Sequence, residues 1–399
     1  MHAPKRFRRS VVGVAAILTA LAVAALSAAT AGADEETTPK TASALASGAY
    51  FNRLGQPDDS LVDHLVDLIN GTPDGESITG TAYHFDEPGV TDALIKAVKE
   101  RDVSLQLITD YHAYENEPEV KRLKNAVEGQ DTNSWVVRCP ARGSSTACIG
   151  TGAMHNKFFL FSKTSGSDWV VSTTSMNLNE GSGRNLFNST YTHVGNKDLY
   201  YQFVEYFDDL ALAIPDPKYY ENNPPQITGN TKSYFYPRGS GDTVTSTLKE
   251  TACPGMVQVG MWSISRGSPT EELRRLADDG CTIRIVAHHI YDQACENLTK
   301  PGHGTITLYG FKEGKPYIHS KNILINATYT GEPHQVVFTG SANLNNPSLR
   351  ENDENVLRVM DEPRVYEQFH RNFDAMINEA DYKVTTEDDC KKLFNGQES

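Results

Sequence analysis

The feature that most constrains this chain is that it says one thing twice. Ser-x-Asn-Leu-Asn occurs at residues 175–179 and again at 341–345, and nowhere else in the 399 residues. Of the twelve histidines, only His155 and His319 have a lysine two positions on, Lys157 and Lys321. The Ser-x-Asn element begins 20 residues after His155 and 22 after His319. Two elements in one order at near-equal spacing imply two fused copies of one domain, at a period far too long for a solenoid of short repeats.

The hydrophobic pattern repeats with them. Residues 61–69 have helical spacing, 77–83 alternate as a strand, 91–99 are again helical and 103–108 alternate; 256–261, 270–277 and 281–286 return as strand, helix, strand about 178 residues later. That order predicts an α/β fold of two fused α/β/α sandwich halves with the site between them. Residues 49–213 form the first half and 240–399 the second. Between them, 214–239 is crowded with proline (Pro215, Pro217, Pro224, Pro225, Pro237) and reads as a linker.

Lys5, Arg6, Arg8 and Arg9 precede an apolar run over 11–29, with Ala31-Gly32-Ala33 after it, which reads as a cleaved export signal over 1–33. An uncleaved anchor is the other reading, because the run approaches the ~20 residues that span a bilayer. Residues 34–48 read as a loose N-terminus. Losing a signal with four basic and no acidic residues would take the net charge from -14 to -18. So acidic a chain disfavours non-specific binding of nucleic acid, which depends on Lys and Arg set against phosphates, and no nucleic-acid partner is expected. Six cysteines in an exported chain read as up to three disulfides, with Cys139 and Cys148 the favoured local pair. Zinc is the weaker reading, since no Cys-x-x-Cys is present; no metal or cofactor is expected.

Within the β-like stretches 154–161 and 318–325, residues at i and i+2 share a face, so each His points the same way as its Lys. Cleaving a phosphodiester without a metal needs a nucleophile, a proton donor for the leaving oxygen, and fixed positive or N–H groups around the phosphoryl oxygens. Two imidazoles in different environments supply the first two near neutral pH. Two lysines and two asparagines supply the rest.

In these motifs the sequence resembles the phospholipase D superfamily, whose members carry two His-x-Lys-x-x-x-x-Asp motifs, each followed by Gly-Ser-x-Asn and later by an acidic residue. The resemblance covers nearly all of the chain beyond residue 33. It implies a phosphohistidine intermediate, with His155 as nucleophile, His319 as general acid and base, and Lys157, Lys321, Asn177 and Asn343 as the phosphate clamp. Ser341 matches the motif serine, and Ser175 does so with Thr174 in place of glycine. The motif aspartate is replaced in both halves, by Ser162 and Asn326. Eleven residues past Asn343 stands Glu354, where the family places the carboxylate that orients a histidine; eleven past Asn177 stands Asn188. His319 is therefore expected to have the anionic partner and His155 only an amide, which leaves an exchange of the two roles open.

The superfamily spans phospholipases, phospholipid synthases and nucleases. Export and acidity favour a secreted phospholipase D-type hydrolase acting as a monomer on phospholipid at a membrane or micelle surface, releasing the headgroup, with transfer of the phosphatidyl group to another alcohol as a second outcome. A secreted nuclease and an inactive lipid- or phosphate-binding homologue remain as alternatives. Aromatic stretches at Tyr111 to Tyr114, Tyr219-Tyr220 and Tyr234-Phe235-Tyr236 are candidates for a lipid surface, or for ordinary loop packing. His288 and His289 are expected on opposite faces of a strand, Gly181-Ser182-Gly183 as a flexible loop, and Glu351 and Asp353 as negative charge at the cleft edge.

Overall fold

The computed structural model describes residues 45–52, 58–130, 132–302, 304–312 and 317–394. The expected export signal lies outside the described residues, as do residues 34–44. The strands of the first half are β1 (Gly48–Phe51), β2 (Ser77–Ala82), β3 (Phe85–Asp86), β4 (Ser104–Thr109), β5 (Trp135–Arg138), β6 (Phe158–Thr164), β7 (Ser167–Thr174), β8 (Leu178–Asn179) and β9 (Ser189–His193). Those after it are β10 (Gln226–Thr228), β11 (Thr231–Tyr236), β12 (Thr251–Ile264), β13 (Thr282–Ile290) and β14 (Ile306–Gly310). The last four are β15 (Lys321–Tyr329), β16 (Glu332–Gly340), β17 (Glu354–Met360) and β18 (Tyr382–Val384).

Matching turns build matching hairpins. Ser165-Gly166 joins β6 to β7 with φ of 48° and 76°, and Thr330-Gly331 joins β15 to β16 with φ of 53° and 95°. Two successive left-handed residues make the tight turn whose twist suits a hairpin, and glycine takes the second place without steric cost. Around these hairpins the sheets grow in one order: β1-β9-β7-β6-β2-β4-β5, and β10-β11-β17-β16-β15-β12-β13-β14-β18. β2-β4-β5 and β12-β13-β14 are the parallel parts, reached through crossover helices such as Pro88–Arg101 and Gly267–Asp278. The fold is therefore mixed α/β with two similar halves.

Two expected boundaries change. β11 pairs with β17 as β1 pairs with β9, so the stretch read as a linker supplies the edge of the second sheet. Its prolines misled because they flank β10 and β11 instead of interrupting them. Residues 45–48 are also built in: Leu45 packs against the first core, the Ser47 hydroxyl accepts the Val194 N–H, and Gly48 opens β1. Tyr234, Phe235 and Tyr236 are buried in β11, and Tyr219 is buried against Tyr206, so these rings are core and not a lipid-facing surface.

The two sheets share an apolar layer. The helix Lys197–Leu212 buries Leu199, Tyr200, Phe203, Tyr206, Phe207 and Leu210 at helical spacing and packs on β7 and on β11 of the other half. Pro363–Glu379 packs reciprocally on β16 and β1. Tyr206 stacks on Phe235 across the join, with centroids 4.2 Å apart. All six cysteines pair: Cys139–Cys148 as expected, Cys253–Cys281 and Cys295–Cys390.

His64 ties β1 to the helix Ser60–Asn70, its ring stacked 3.5 Å from that of Tyr50 and its Nε2 2.8 Å from the Thr192 hydroxyl. Burial lowers its pKa to about 4. A histidine lower in the folded than in the unfolded state stabilises fully above the unfolded value, and that stability is lost as pH falls from about 6.5 toward 4, amounting to roughly 3 kcal/mol in full. His64→Leu is expected to flatten the drop in urea midpoint between pH 7 and pH 4.5. An unchanged drop would show that this ring does not carry the acid sensitivity.

Candidate active site

Each motif histidine enters the site just ahead of a strand, fixed by a bridge to the other half. Met154 pairs with Asp353, and Ile318 with Phe187, both parallel. The His155 N–H donates to the Asp353 carbonyl at 3.0 Å, and the His319 N–H to the Phe187 carbonyl at 2.9 Å. The motif of one half is thus laid beside the residue preceding Glu354 or Asn188 of the other.

That crossing decides the histidine partners. Glu354 accepts from Nδ1 of His155 at 2.9 Å, and Asn188 Oδ1 lies 2.9 Å from Nδ1 of His319. The pairing within each half expected from the sequence is wrong: the carboxylate belongs to His155 and the amide to His319. Strand order is the reason, since Glu354 opens β17 and Asn188 immediately precedes β9, and both strand starts lie at the join between halves. With an amide oxygen facing it, Nδ1 of His319 carries the proton, and with a carboxylate facing it so does Nδ1 of His155, leaving both Nε2 atoms for chemistry.

The two motif serines and the two serines beyond them take matching places. Ser341 and Ser348 donate to Glu354, Ser348 at 2.7 Å, with Asn352 adding a third donor at 3.3 Å. Ser175 donates to Asn188 Oδ1 at 2.8 Å, and Asn188 Nδ2 donates to the Ser182 carbonyl at 2.7 Å. Ser182 and Ser348 each accept the N–H of the motif asparagine five residues earlier, Asn177 and Asn343, at 3.1 Å. Ser182 is therefore a buried brace in the short helix Glu180–Asn185, and the flexible loop expected there is replaced by structure. The side-chain oxygens of Asn177 and Asn343 are buried with no protein partner. Lys157 and Lys321 donate from Nζ to the carbonyls of His155 and His319.

Dryness sets the protonation. Burial lowers His155 to about 4 against the pull of Glu354, and His319 falls well below its ordinary value through burial and then Lys321. Lys157 falls to about 7 and Lys321 well below its ordinary value, both chiefly by burial. For Glu354 burial pushes up, but His155 and Lys157 outweigh it and the carboxyl ends low. The His155 side chain keeps 13% exposure while Glu354 has none, so solvent reaches the site at the imidazole.

Other residues fall differently from expectation. Asp353 is fully buried, and its carboxylate accepts N–H groups from Cys148, Ile149 and Gly150 at 2.6, 3.2 and 2.7 Å, so it holds the loop behind His155 and adds no charge to the cleft edge. Cys139, Cys148 and Asp353 lie close enough to suggest a metal, but both sulfurs are in the disulfide. Ser162 bonds Glu76 and Ser77, and Asn326 is exposed; seven residues of extended chain put each roughly 20 Å from its histidine. His288 and His289 do not part to opposite faces: their rings lie 4.1 Å apart at the end of β13, where pairing with β14 has already stopped at Val286. His288 stacks on Tyr317 at 3.9 Å, and Trp262 stands edge-on to His319 at 6.2 Å. Tyr83 mirrors Trp262, 4.9 Å from His155 with the Lys157 ammonium 4.9 Å over its ring. The serine braces were legible five residues after each motif asparagine; the rings had no sequence signal.

A family model described as Cardiolipin synthase, PLD-like domain, matches residues 65–211 and 251–377, and the chain belongs to that family. No curated protein matches it in sequence. Among solved structures it resembles a phosphatidylserine synthase from Haemophilus influenzae Rd KW20, with TM-score 0.62 and 13% identity over 86% of this chain and 88% of that one. It also resembles a polyphosphate kinase from Porphyromonas gingivalis, with TM-score 0.56 and 14% identity over 82% of this chain, which spans only 50% of the kinase. At such identity the likeness is one of fold.

Gly150 is where the loop touches Glu351: a Cβ there would lie 1.9 Å from the Glu351 carbonyl oxygen. Gly150→Ala is expected to cost roughly 1–3 kcal/mol in denaturant unfolding and to displace Glu354. Unaltered stability would mean that the loop does not brace the site.

Proposed function

We propose that the protein is a phosphodiesterase that works through a phosphohistidine on His155, with phospholipid as its substrate. The observation that carries this reading is the crossed pairing of His155 with Glu354 and of His319 with Asn188 in one buried site with two lysines. Nε2 of His155 attacks phosphorus as the P–O bond to the headgroup breaks, and His319 gives its Nε2 proton to the departing oxygen. Water then attacks the phosphohistidine, losing its proton to His319, and His155 is released neutral; an alcohol in place of water gives transfer. Glu354 stabilises the charge that His155 acquires. Asn188, being neutral, leaves His319 a stronger acid, protonated when the substrate's anionic phosphoryl group enters beside it. Lys157 and Lys321 regain full charge against the phosphoryl oxygens and supply what a metal supplies elsewhere.

The lipid assignment is supported by the family description and by the net charge of -14, which opposes a polyanionic strand. Export, as a secreted enzyme, is supported by the basic-then-apolar N-terminal sequence and the three disulfides. Phospholipid vesicles and single-stranded DNA, each incubated with the protein in excess EDTA, test the substrate. Headgroup release is expected from the vesicles alone; DNA cleavage would replace the lipid reading, and turnover of neither would leave a binding protein.

His155→Asn and His319→Asn are each expected to lower turnover by roughly 10²-fold or more with little change in melting temperature, and acid-quenched wild-type protein should carry its label on His155 by mass spectrometry. A label on His319 would exchange the roles. Asn188→Asp replaces an amide with an anion and so raises the His319 pKa, and the alkaline limb of the pH profile should move upward; a fixed limb would deny His319 the acid role.

A further inference from the structure

The duplication supplies a comparison within the molecule. In the first half Asp59 and Glu87 are the N-cap residues of the helices Ser60–Asn70 and Pro88–Arg101, and Arg184, seven residues past Asn177, pairs with both. Buried Glu87 takes Arg184 in a two-pronged pair at 2.5 and 2.9 Å and accepts the Gly89 N–H of its own helix. A carboxylate fills the space between a helix N-terminus and a guanidinium.

The second half keeps the frame and reverses the charge. Arg350 stands seven residues past Asn343, Asp242 caps the helix Thr243–Lys249, and Arg266 occupies the N-cap position of Gly267–Asp278, where the first half has Glu87. No side chain caps that helix. Asp242 is already engaged, by Arg266 Nη1 at 2.6 Å and by the Thr245 N–H at 3.0 Å. Arg350 donates to the carbonyls of Arg238 and Gly241. Here an open cavity of about 470 Å³ is lined by Lys249, Arg266, Ser268 and Arg350, with Asp242 its one carboxylate. Arg266 is only 6% exposed, and its Nε has no partner.

We propose that this cavity binds a phosphate-type oxyanion in the place that the Glu87 carboxylate fills in the first half. The helix N-terminus and the guanidinium groups of Arg266 and Arg350 are the groups such an anion is held by. Lys249 adds a third positive charge. Asn346 and Leu349 also line the cavity, so it adjoins the loop that carries Asn343. The anion has two possible sources, a terminal phosphate of a substrate seated at the histidines or free phosphate, and the site does not depend on the catalytic reading.

Inorganic phosphate titrated against the full chain at constant ionic strength, with chloride as control, is read by thermal unfolding. The wild type is expected to gain melting temperature with phosphate, and Arg350→Gln to lose that gain. Arg266→Glu, which restores the carboxylate of the first half, should fold with the site already filled and also lose it, while Lys321→Ala at the catalytic centre keeps it. Absence of the gain in the wild type, its survival in both arginine variants, or its loss in Lys321→Ala overturns the proposal. The source is then read from soluble phosphodiesters with and without a terminal phosphate monoester. If the substrate supplies the anion, Arg350→Gln raises KM roughly tenfold for the phosphorylated one alone; if free phosphate does, it changes KM for neither.

Discussion

A histidine cannot present one ring nitrogen in a fixed direction unless something holds the other, and in this protein the holder of His155 is 199 residues away. The isolated bridges Met154 to Asp353 and Ile318 to Phe187 make that possible. They clamp each motif to the opposite half, so neither half contains a complete site. The apolar layer around Tyr206 and Phe235, the loop closed by Cys139–Cys148 and the buried Asp353 all serve the registration of those bridges.

Low dielectric follows from the same closure and governs the chemistry. Two imidazoles and two ammonium groups packed in one dry space cannot all be charged, and burial moves each toward its neutral form. Glu354 is retained there as a carboxylate, held by its serine and asparagine donors. An anionic phosphoryl group entering such a space meets bases ready to take protons and is itself the charge that stabilises them.

The duplicated frame has diverged by charge more than by shape. At the histidines Glu354 in one half answers to Asn188 in the other, with serine braces in matching places. At the helix N-termini Glu87 answers to Arg266, with Arg184 and Arg350 in matching places. A symmetrical scaffold has thereby acquired one acidic and one neutral histidine partner, and one filled and one open anion position.

Much of this was legible along the chain. Repeated spacing identified His155, His319, both lysines, both asparagines and the helices and strands around them, because periodicity and recurrence are properties of neighbours in sequence. The short loop between Cys139 and Cys148 pointed to their disulfide, and that pair forms. Only the folded chain decided that Glu354 serves His155 and Asn188 serves His319, that residues 226–236 are sheet edge and not linker, and that Tyr83 and Trp262 stand beside the two histidines. Those facts depend on which strand lies beside which across the join. Residues nearly two hundred positions apart carry no local signal of that, and it emerges only when two amphipathic layers close on each other.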